Sequence, residues 1–271
     1  MDGRRIHGMA LALAFLAVLA MGVVLAVRPW FPPVGSDHGR GVQRMLVYTL
    51  GATGLFFILG HLALAYMVGR FSLRPVKEVP RLSGRRERWL ALAPALLMAL
   101  LAEGGVLALG LPVWGTYYGI PPEDALTVEV TGRQFFWVVR YPGPDGRFGR
   151  TSPDLVRADN PVGLDARDPA ARDDVVLLNE LHVPVGRPVR ILLRSLDIIH
   201  SLCLREFRVK QDAVPGMTIS VWFTPRMTGT FEIACNHVCG LGHYRMRGFL
   251  YVEEPATFEQ WLAEQAPWVG E

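Results

Sequence analysis

The chain has 271 residues, of which 51% are hydrophobic and 20% are charged, and its mean hydropathy is +0.24. A soluble domain usually carries more charge, and the net charge of +3 combines two unlike halves: residues 1–111 hold twelve Lys and Arg against five Asp and Glu, whereas residues 112–271 hold sixteen against twenty. Because the basic excess of +7 lies in the apolar half and the other half stands at −4, the sequence excludes a basic nucleic-acid-binding domain.

Three apolar blocks occupy the first half of the chain, and they are Met9–Val27, Met45–Val68 and Trp89–Val113. A helix of about 20 residues crosses a hydrocarbon core, and none of the blocks contains Lys or Arg. They predict a transmembrane helix or signal segment in residues 1–27 and a transmembrane helical hairpin in residues 41–113. A secretory signal has a similar basic start, but the first block is long for a signal and no Ala-x-Ala site stands directly before Arg28, which favours a retained helix.

Basic residues between the blocks predict the orientation in the membrane. Residues 70–88 hold seven Lys and Arg, whereas residues 28–44 hold three. Loops rich in Lys and Arg stay in the cytoplasm, so the N-terminus is predicted inside and everything after residue 113 outside. Two ionisable residues lie within the blocks, His61 and Glu103, and each is a candidate for a proton path or a helix contact.

From Pro121 onward the pattern changes to short alternating or β-branched runs, at residues 126–132, 134–141, 174–180, 188–195, 216–223, 229–235 and 248–254. Such runs, separated by turns, favour a β-sandwich or barrel, and we assign residues 121–271 to one extracytoplasmic domain. A helix from Pro255 closes it. The stretch 142–174 holds five Pro, four Gly and seven Asp and is predicted to be a surface excursion without a core of its own.

Ligand chemistry is concentrated in the segment CNHVCGLGHYRM, which begins at Cys235 and contains Cys239, His243 and Met246. A disulfide between the two cysteines and a zinc site are the simpler alternatives. Met246 argues against both, because a thioether is a poor ligand for zinc and a good one for copper. A single-copper site of this kind needs one cysteine, whereas two thiolates can bridge a pair of coppers.

A copper pair needs one more imidazole than His243 supplies. The best candidate is His200, in the segment LDIIHSLCL, and the competitor is His182, which we interpret as a histidine at a strand edge. The third cysteine, Cys203, is interpreted as a buried structural residue.

Together, the segments LDIIHSLCLREFRVKQDAVPGM and CNHVCGLGHYRM resemble subunit II of the haem-copper cytochrome c oxidases, over residues 40–265. The resemblance implies a membrane-anchored all-β protein, in which the hairpin precedes a cupredoxin-like Greek-key β-barrel or sandwich that carries the binuclear copper centre CuA. It implies that the thiolates of Cys235 and Cys239 bridge the coppers. One copper would be completed by His243 and the main-chain carbonyl of His237, and the other by His200 and Met246.

The family's activity gives the expected function. Its members accept electrons from cytochrome c and pass them to haem in subunit I, where oxygen is reduced to water and protons are translocated. The resemblance therefore implies other oxidase subunits and a cytochrome c as partners, and the cytoplasmic (inner) membrane of a prokaryote as the location. Electrons are expected to enter at Phe135, where the family usually has Trp, or at Trp137. Asp197 and Asp212 match positions near the docking face, and the charge of −4 suits a basic cytochrome.

The chain departs from the family at residue 237. His237 stands where the family has a Glu that helps to hold a magnesium ion at the boundary with subunit I, so the interfacial magnesium is doubtful. Glu87 lies near the position of a glutamate at the mouth of a proton channel. The chain has no C-x-x-C-H haem-attachment motif, so no fused cytochrome c domain is expected.

Two other functions remain open. The copper subunit of a nitric oxide reductase shares this domain, and His237 favours that alternative slightly because the interfacial metal can differ. A membrane-tethered copper-binding or copper-delivery protein is the alternative from another class, although delivery sites tend to be open and rich in methionine. Quinol oxidase subunits share the fold but lack the copper ligands, which are present here.

Overall fold

The computed structural model describes residues 3–26, 28, 30–72 and 83–268. They belong to two compact units, one from Met1–Phe31 and Gln43–Leu111 and the other from Pro32–Val42 and Pro112–Glu271. Within the basic segment that we expect in the cytoplasm, Arg74, Lys77 and Arg81 lie outside the described residues.

The first half of the chain is helical. The helices are α1 (Gly3–Ala26), α2 (Asp37–Ser72) and α3 (Gly84–Met98), which continues through a π-helical turn (Ala99–Glu103) into α4 (Gly104–Tyr117). Among the described residues, three stretches are long and apolar enough to cross a membrane: Arg5–Ala26, Asp37–Ser72 and Gly84–Tyr117. At 1.5 Å per residue α2 is about 54 Å long, so it extends well beyond a hydrocarbon core of about 30 Å.

The two ionisable residues of the apolar blocks have different surroundings. His61 is held within α2, where its Nδ1 lies 2.9 Å from the carbonyl oxygen of Phe57 and the two rings lie 4.0 Å apart. Glu103 is exposed in the π-helical turn. The hydroxyl of Tyr48 donates to the carbonyl of Leu101 in the same turn, which fastens this turn to α2.

In the second half, the described residues form a β-sandwich of ten strands. They are β1 (Leu126–Arg133), β2 (Phe136–Tyr141), β3 (Val175–Leu178), β4 (Glu180–Pro184), β5 (Val189–Ser195), β6 (His200–Leu204), β7 (Val209–Ala213), β8 (Ile219–Phe223), β9 (Gly229–Cys235) and β10 (Arg247–Glu253). One sheet has the order β3-β2-β1-β5-β8 and the other β4-β10-β9-β6-β7. The pairs β1–β5 and β4–β10 are parallel, and the remaining pairs are antiparallel.

Alternation along the strands places the core between the sheets. In β5 the residues Val189, Ile191 and Leu193 are buried while their neighbours are partly exposed, as expected for a strand with one face on a core. They share one cluster with buried residues of the other sheet, such as Leu202 and Ile233. Helix α5 (Pro255–Glu264) follows β10 and buries Phe258 in the same cluster.

Three strand assignments differ from the sequence pattern. The runs at 126–132, 134–141, 188–195, 216–223, 229–235 and 248–254 all contain strands, but β6 and β7 were not predicted. The run at 174–180 divides at Asn179, whose φ of 60° lies in the left-handed region. There the chain leaves β3, which pairs with β2, and begins β4, which pairs with β10. Asn179 fits this corner because asparagine tolerates positive φ better than most residues, and its Oδ1 accepts the main-chain N–H of Trp137 at 2.9 Å.

The prediction that residues 142–174 form only a surface excursion is wrong in part. The stretch packs Val162, Leu164 and Ala171 against Val138 of β2 in a second, smaller apolar cluster. The many Pro, Gly and Asp residues indicated a stretch without a core. A few apolar residues are nevertheless enough to form a small cluster when a sheet face covers them.

A cluster of buried charges attaches this excursion to the sheet. The guanidinium of Arg140 donates to Glu129 at 2.9 Å, to Asp174 at 2.8 Å and to the carbonyl of Gly149 at 2.8 Å. The side chains of Arg140 and Asp174 are 3% and 0% exposed. A buried arginine with several acceptors thus links β1 and β2 to both ends of the excursion.

Residues 32–42, before and at the start of α2, belong to the β-sandwich unit. The N–H of Gly35 donates to the carbonyl of Glu206 at 2.8 Å, and the N–H of Arg226 donates to the carbonyl of Gly35 at 2.7 Å. The guanidinium of Arg226 also donates to the carboxylate of Asp37 at 2.8 Å. At the end of α4, Tyr117 donates its hydroxyl to the carbonyl of Lys210 at 3.3 Å. Helix α2 therefore begins, and α4 ends, in contact with the sandwich.

Candidate metal centre

The loop that joins β9 to β10 carries most of the candidate ligands; we call residues 235–246 the ligand loop. Cys235 is the last residue of β9, and its N–H donates to the carbonyl of Met246 at 3.2 Å, so the ladder of β9 and β10 closes the loop. Gly240 has a φ of +122°, which strongly favours glycine. A single turn of 3-10 helix, His243–Arg245, then brings His243 and Met246 back to the cysteines.

The donor atoms converge around two sulfur atoms. All three cysteines are free, and the Sγ atoms of Cys235 and Cys239 lie 3.8 Å apart. The carbonyl oxygen of His237 lies 3.2 Å from Sγ of Cys235, whereas the imidazole of His237 is exposed. His243 Nδ1 lies 3.6 Å, and Met246 Sδ 3.7 Å, from Sγ of Cys239.

His200 completes this arrangement from β6, which pairs with β9 beside Cys235. Its Nδ1 lies 3.9 Å from Sγ of Cys235, and the donor atoms of His200, Cys235 and Cys239 all lie within 4.8 Å of one another. The ring is fully buried. Its other nitrogen, Nε2, lies 2.7 Å from Oδ1 of Asp197, the kind of outer contact that fixes the orientation of a ligating imidazole.

Electrostatics favour a cation between the sulfurs. Burial by itself raises the pKa of the Cys235 thiol and is the largest single cause, but hydrogen bonds with His200, His237, Ser201 and His243 together outweigh it and lower the pKa to about 6. Burial and the neighbouring Cys235 together raise the pKa of Cys239 to about 11. One sulfur therefore ionises readily and hinders ionisation of the other, whereas a metal cation would stabilise both thiolates at once.

His182, the competing imidazole, lies elsewhere. Its ring stacks between Tyr251 and Trp261, at centroid distances of 4.4 Å and 3.8 Å. Its Nδ1 lies 3.2 Å from a carboxylate oxygen of Glu253. In the part of the chain that the structure describes, His200 and not His182 joins the two cysteines.

The two aromatic candidates occupy different depths. Phe135 is half-buried and lies against the ligand loop, where a Cβ on Gly242 would come within 2.4 Å of its ring. Trp137 is fully buried, and its ring centroid lies 6.0 Å from that of His200. Phe135 is thus the outer of the two.

The acidic residues near the site are already engaged. Asp197 contacts His200. Burial raises the pKa of the Asp197 carboxyl, but hydrogen bonds from the Gln134 N–H and from His200 outweigh burial, so this pKa lies below its ordinary value. Asp212 lies 3.2 Å from the ammonium of Lys210. Cys203 is half-buried on β6, and burial raises the pKa of its thiol.

Sequence reasoning missed two residues at this site. Gly132 lies against His200, where a Cβ would come within 2.8 Å of the imidazole. The side-chain amide of Gln134 donates to the carbonyl of Cys239 at 2.7 Å. Gly132 lies near the end of β1 and Gln134 in the turn between β1 and β2. No local pattern identifies them, because their partners are more than 60 residues away in the chain.

The fold and these donors define a membrane-anchored β-sandwich protein with a copper-site-like cluster of cysteine, histidine and methionine. Residues 126–251 match the family described as cytochrome c oxidase subunit II, periplasmic domain. The alternative cytochrome c oxidase subunit 2 of Bradyrhizobium diazoefficiens is 37% identical over 269 residues, which cover 97% of this chain and 94% of the relative. Cytochrome c oxidase subunit 2 of Cereibacter sphaeroides is 30% identical over 251 residues, covering 87% and 79%.

A crystal structure of the periplasmic domain of subunit II of the cytochrome oxidase of Bradyrhizobium japonicum matches 54% of this chain and 96% of that domain, at 30% identity and a TM-score of 0.40. The two relatives span nearly the whole chain, helices included. The chain therefore belongs to the cytochrome c oxidase subunit II family of the haem-copper oxidases. This confirms the predicted family and the predicted fold class of apolar helices followed by a cupredoxin-like β domain.

Proposed function

We propose that this chain is the electron-input subunit of a haem-copper cytochrome c oxidase and that it holds a binuclear copper centre. The observation that carries the proposal is the pair of free cysteine sulfurs 3.8 Å apart, with an imidazole nitrogen within 4 Å of each. In this proposal the thiolates of Cys235 and Cys239, the imidazoles of His200 and His243, the thioether of Met246 and the main-chain carbonyl of His237 would hold the two coppers.

The donor set suits copper. Thiolate, imidazole and thioether together are soft ligands that favour copper over magnesium or calcium, and bound copper would supply one-electron redox chemistry. The protein's part is to hold the donors in fixed positions and to exclude water. His200, Cys239 and Met246 are at most 2% exposed, which favours a closed electron-transfer site over an open copper-delivery site.

An interfacial magnesium ion is not supported at position 237. Magnesium prefers oxygen ligands, and the exposed imidazole of His237 offers none from its side chain. We therefore assign no magnesium contact to this residue. The same substitution is the observation that keeps a nitric oxide reductase subunit as a second candidate function.

Electrons would enter from a cytochrome c and leave to haem in subunit I, where oxygen is reduced to water with proton translocation. Phe135 lies on the outer side of the ligand loop and Trp137 behind it, beside His200. The half-buried Phe135 is therefore the proposed point of electron input, and the buried Trp137 can act only as an inner relay.

We place residues 1–27 as an N-terminal membrane helix, residues 41–113 as a helical hairpin and residues 121–271 as a periplasmic copper domain in the inner membrane of a prokaryote. Support comes from the contacts of residues 35 and 37 with the sandwich. In the proposed topology the start of α2 therefore lies on the same side as the sandwich, and a single crossing by each helix leaves the basic segment 70–88 on the cytoplasmic side.

Turnover of the purified oxidase complex tests this function. With reduced cytochrome c, the complex should consume oxygen, and Cys239→Ser should abolish that activity while Cys203→Ser keeps it. Consumption of nitric oxide without consumption of oxygen would assign the chain to the second candidate. Equal activity of the Cys239→Ser complex would show that electrons do not pass through this site.

A further inference from the structure

Gln134 connects two parts of the metal centre that lie far apart in sequence. It stands in the tight turn between β1 and β2, and its side chain is exposed enough to be replaced without opening the core. Its main-chain N–H donates to Oδ2 of Asp197 at 2.7 Å. Its side-chain Nε2 donates to the carbonyl of Cys239 at 2.7 Å.

Asp197 continues the connection to the other side of the site. Its second oxygen, Oδ1, lies 2.7 Å from Nε2 of His200 and also accepts the N–H of Ile198 at 2.7 Å. A continuous chain of three short contacts therefore runs from Cys239, through Gln134 and Asp197, to His200. This series of contacts joins the ligand loop, the β1–β2 turn and the β5–β6 turn. The strands β1, β2 and β5 belong to one sheet, and β6, β9 and β10 belong to the other.

The two ends of this series of contacts matter because Cys239 and His200 are separate ligands of the proposed copper pair. Cys239 lies in the ligand loop, whereas His200 lies on β6, and neither sequence separation nor a strand ladder fixes the distance between them. The His200 ring is fully buried, and Asp197 is the partner that holds its Nε2. Fixing both ends therefore fixes the spacing of imidazole and thiolate.

We propose that Gln134 is a positioning residue for the copper pair, which holds the main chain of Cys239 at a set distance from the Asp197–His200 pair. This inference rests on the proposed function. A centre whose ligands keep their spacing changes little when an electron is added or removed, and outer-shell contacts of this kind tune a metal's redox potential. Removing the amide should loosen the spacing without removing any ligand.

The test uses the full-length chain, purified in detergent and loaded with copper. Gln134→Met keeps the length of the side chain and removes the donor, and Gln134→Lys restores a nitrogen donor on a side chain one atom longer, with an added positive charge. Gln260→Met is the matched control, because the amide of Gln260 contacts Glu264 on α5, away from the ligand loop. Copper content, the paramagnetic spectrum and the reduction potential are measured for each protein.

Gln134→Met should keep the copper content of the parent, but its hyperfine pattern should change. The equilibrium constant for its one-electron reduction should change at least threefold, which corresponds to a shift in reduction potential of about 30 mV, at about 59 mV per tenfold. Gln134→Lys should return the hyperfine pattern towards that of the parent, whereas its potential also carries the effect of the added charge. Gln260→Met should match the parent in both measurements. Identical potentials and spectra for Gln134→Met and the parent would overturn the inference, as would loss of copper from Gln134→Met alone. A parent protein without a shared-electron spectrum would instead refute the proposed function.

Discussion

The imidazole of His200 fits against the main chain of β1 because residue 132 has no side chain. A Cβ there would lie 2.8 Å from Cδ2 of the ring, which is closer than real Cβ contacts allow. It would also lie 3.0 Å from Cγ. His200 cannot retreat, because its Nε2 is held by Asp197 and its neighbours on β6 are buried. The small residue thus sets the position of a proposed ligand from the opposite sheet.

We therefore expect Gly132→Ala to displace His200 and to destabilise the β unit by about 1–3 kcal/mol, as overpacking of a buried site usually does. The variant should also bind copper more weakly than the parent, measured by copper content after dialysis against a chelator. Gly115→Ala is the control, because a Cβ at Gly115 would meet nothing within 4 Å. If Gly132→Ala retains its copper as well as Gly115→Ala does, the close contact does not position the ligand.

Sequence reasoning at the residue scale works best where ligands are neighbours in the chain. Cys235, Cys239, His243 and Met246 lie within twelve residues, so their spacing alone indicates a shared site. His200 lies 35 residues earlier than Cys235, and it was preferred to His182 because His182 was interpreted as a histidine at a strand edge. The contacts of Gly132 and Gln134 could not be predicted, because they depend on how two sheets meet.

At the scale of elements, alternation predicted the strands with a buried inner face but not those defined by their neighbours. Strands β6 and β7 have no clear alternation: β6 is buried along most of its length, and β7 exposes its charged middle. The division of the run 174–180 into β3 and β4 depends on one left-handed residue, Asn179. The packing of residues 142–174 depends on the sheet face that covers them and not on their own composition.

The buried charges that hold this excursion give a prediction. Arg140→Met removes the partner of Asp174 and leaves its carboxylate buried, which costs about 3–5 kcal/mol for a broken buried pair. Arg150→Met is the matched control, because the Arg150 side chain is 73% exposed and exposed pairs contribute about 0–1 kcal/mol. Urea unfolding of both variants checks the difference, and equal stabilities would contradict a clamping role for Arg140.

The pH dependence of this effect follows from Asp174. Burial raises its pKa above the ordinary value, although Arg140 opposes the shift, so its ionised form lowers stability as pH rises through the raised pKa. Without Arg140 the opposing contribution is lost and the pKa rises further. The destabilisation by Arg140→Met should therefore be larger at pH 7 than at pH 4, where protonated Asp174 needs no counter-charge.

At the scale of the whole molecule, the net charge of +3 is the sum of a basic apolar half and an acidic half that contains the β-sandwich. In the proposed topology these halves lie on two sides of a membrane, and the basic segment orients the chain. The sequence predicted this division from charge counts. The attachment of residues 32–42 to the sandwich could not be predicted, because it depends on hydrogen bonds between main-chain groups far apart in sequence.

The orientation predicts which residues a reagent outside the cell can reach. In a Cys203→Ser background, a membrane-impermeant thiol reagent should label Asp145→Cys in intact spheroplasts, because residue 145 is exposed on the sandwich. It should label Ser83→Cys, at the start of α3, only after the membrane is permeabilised. Labelling of Ser83→Cys in intact cells would reverse the proposed topology.

The copper content and paramagnetic spectrum of the full-length chain test the central claim most directly. If Cys235 and Cys239 bridge a copper pair, the purified, copper-loaded protein should contain two coppers per chain. Its unpaired electron should then show a hyperfine pattern of two equivalent copper nuclei. One copper per chain, with the spectrum of a single nucleus, would contradict the account.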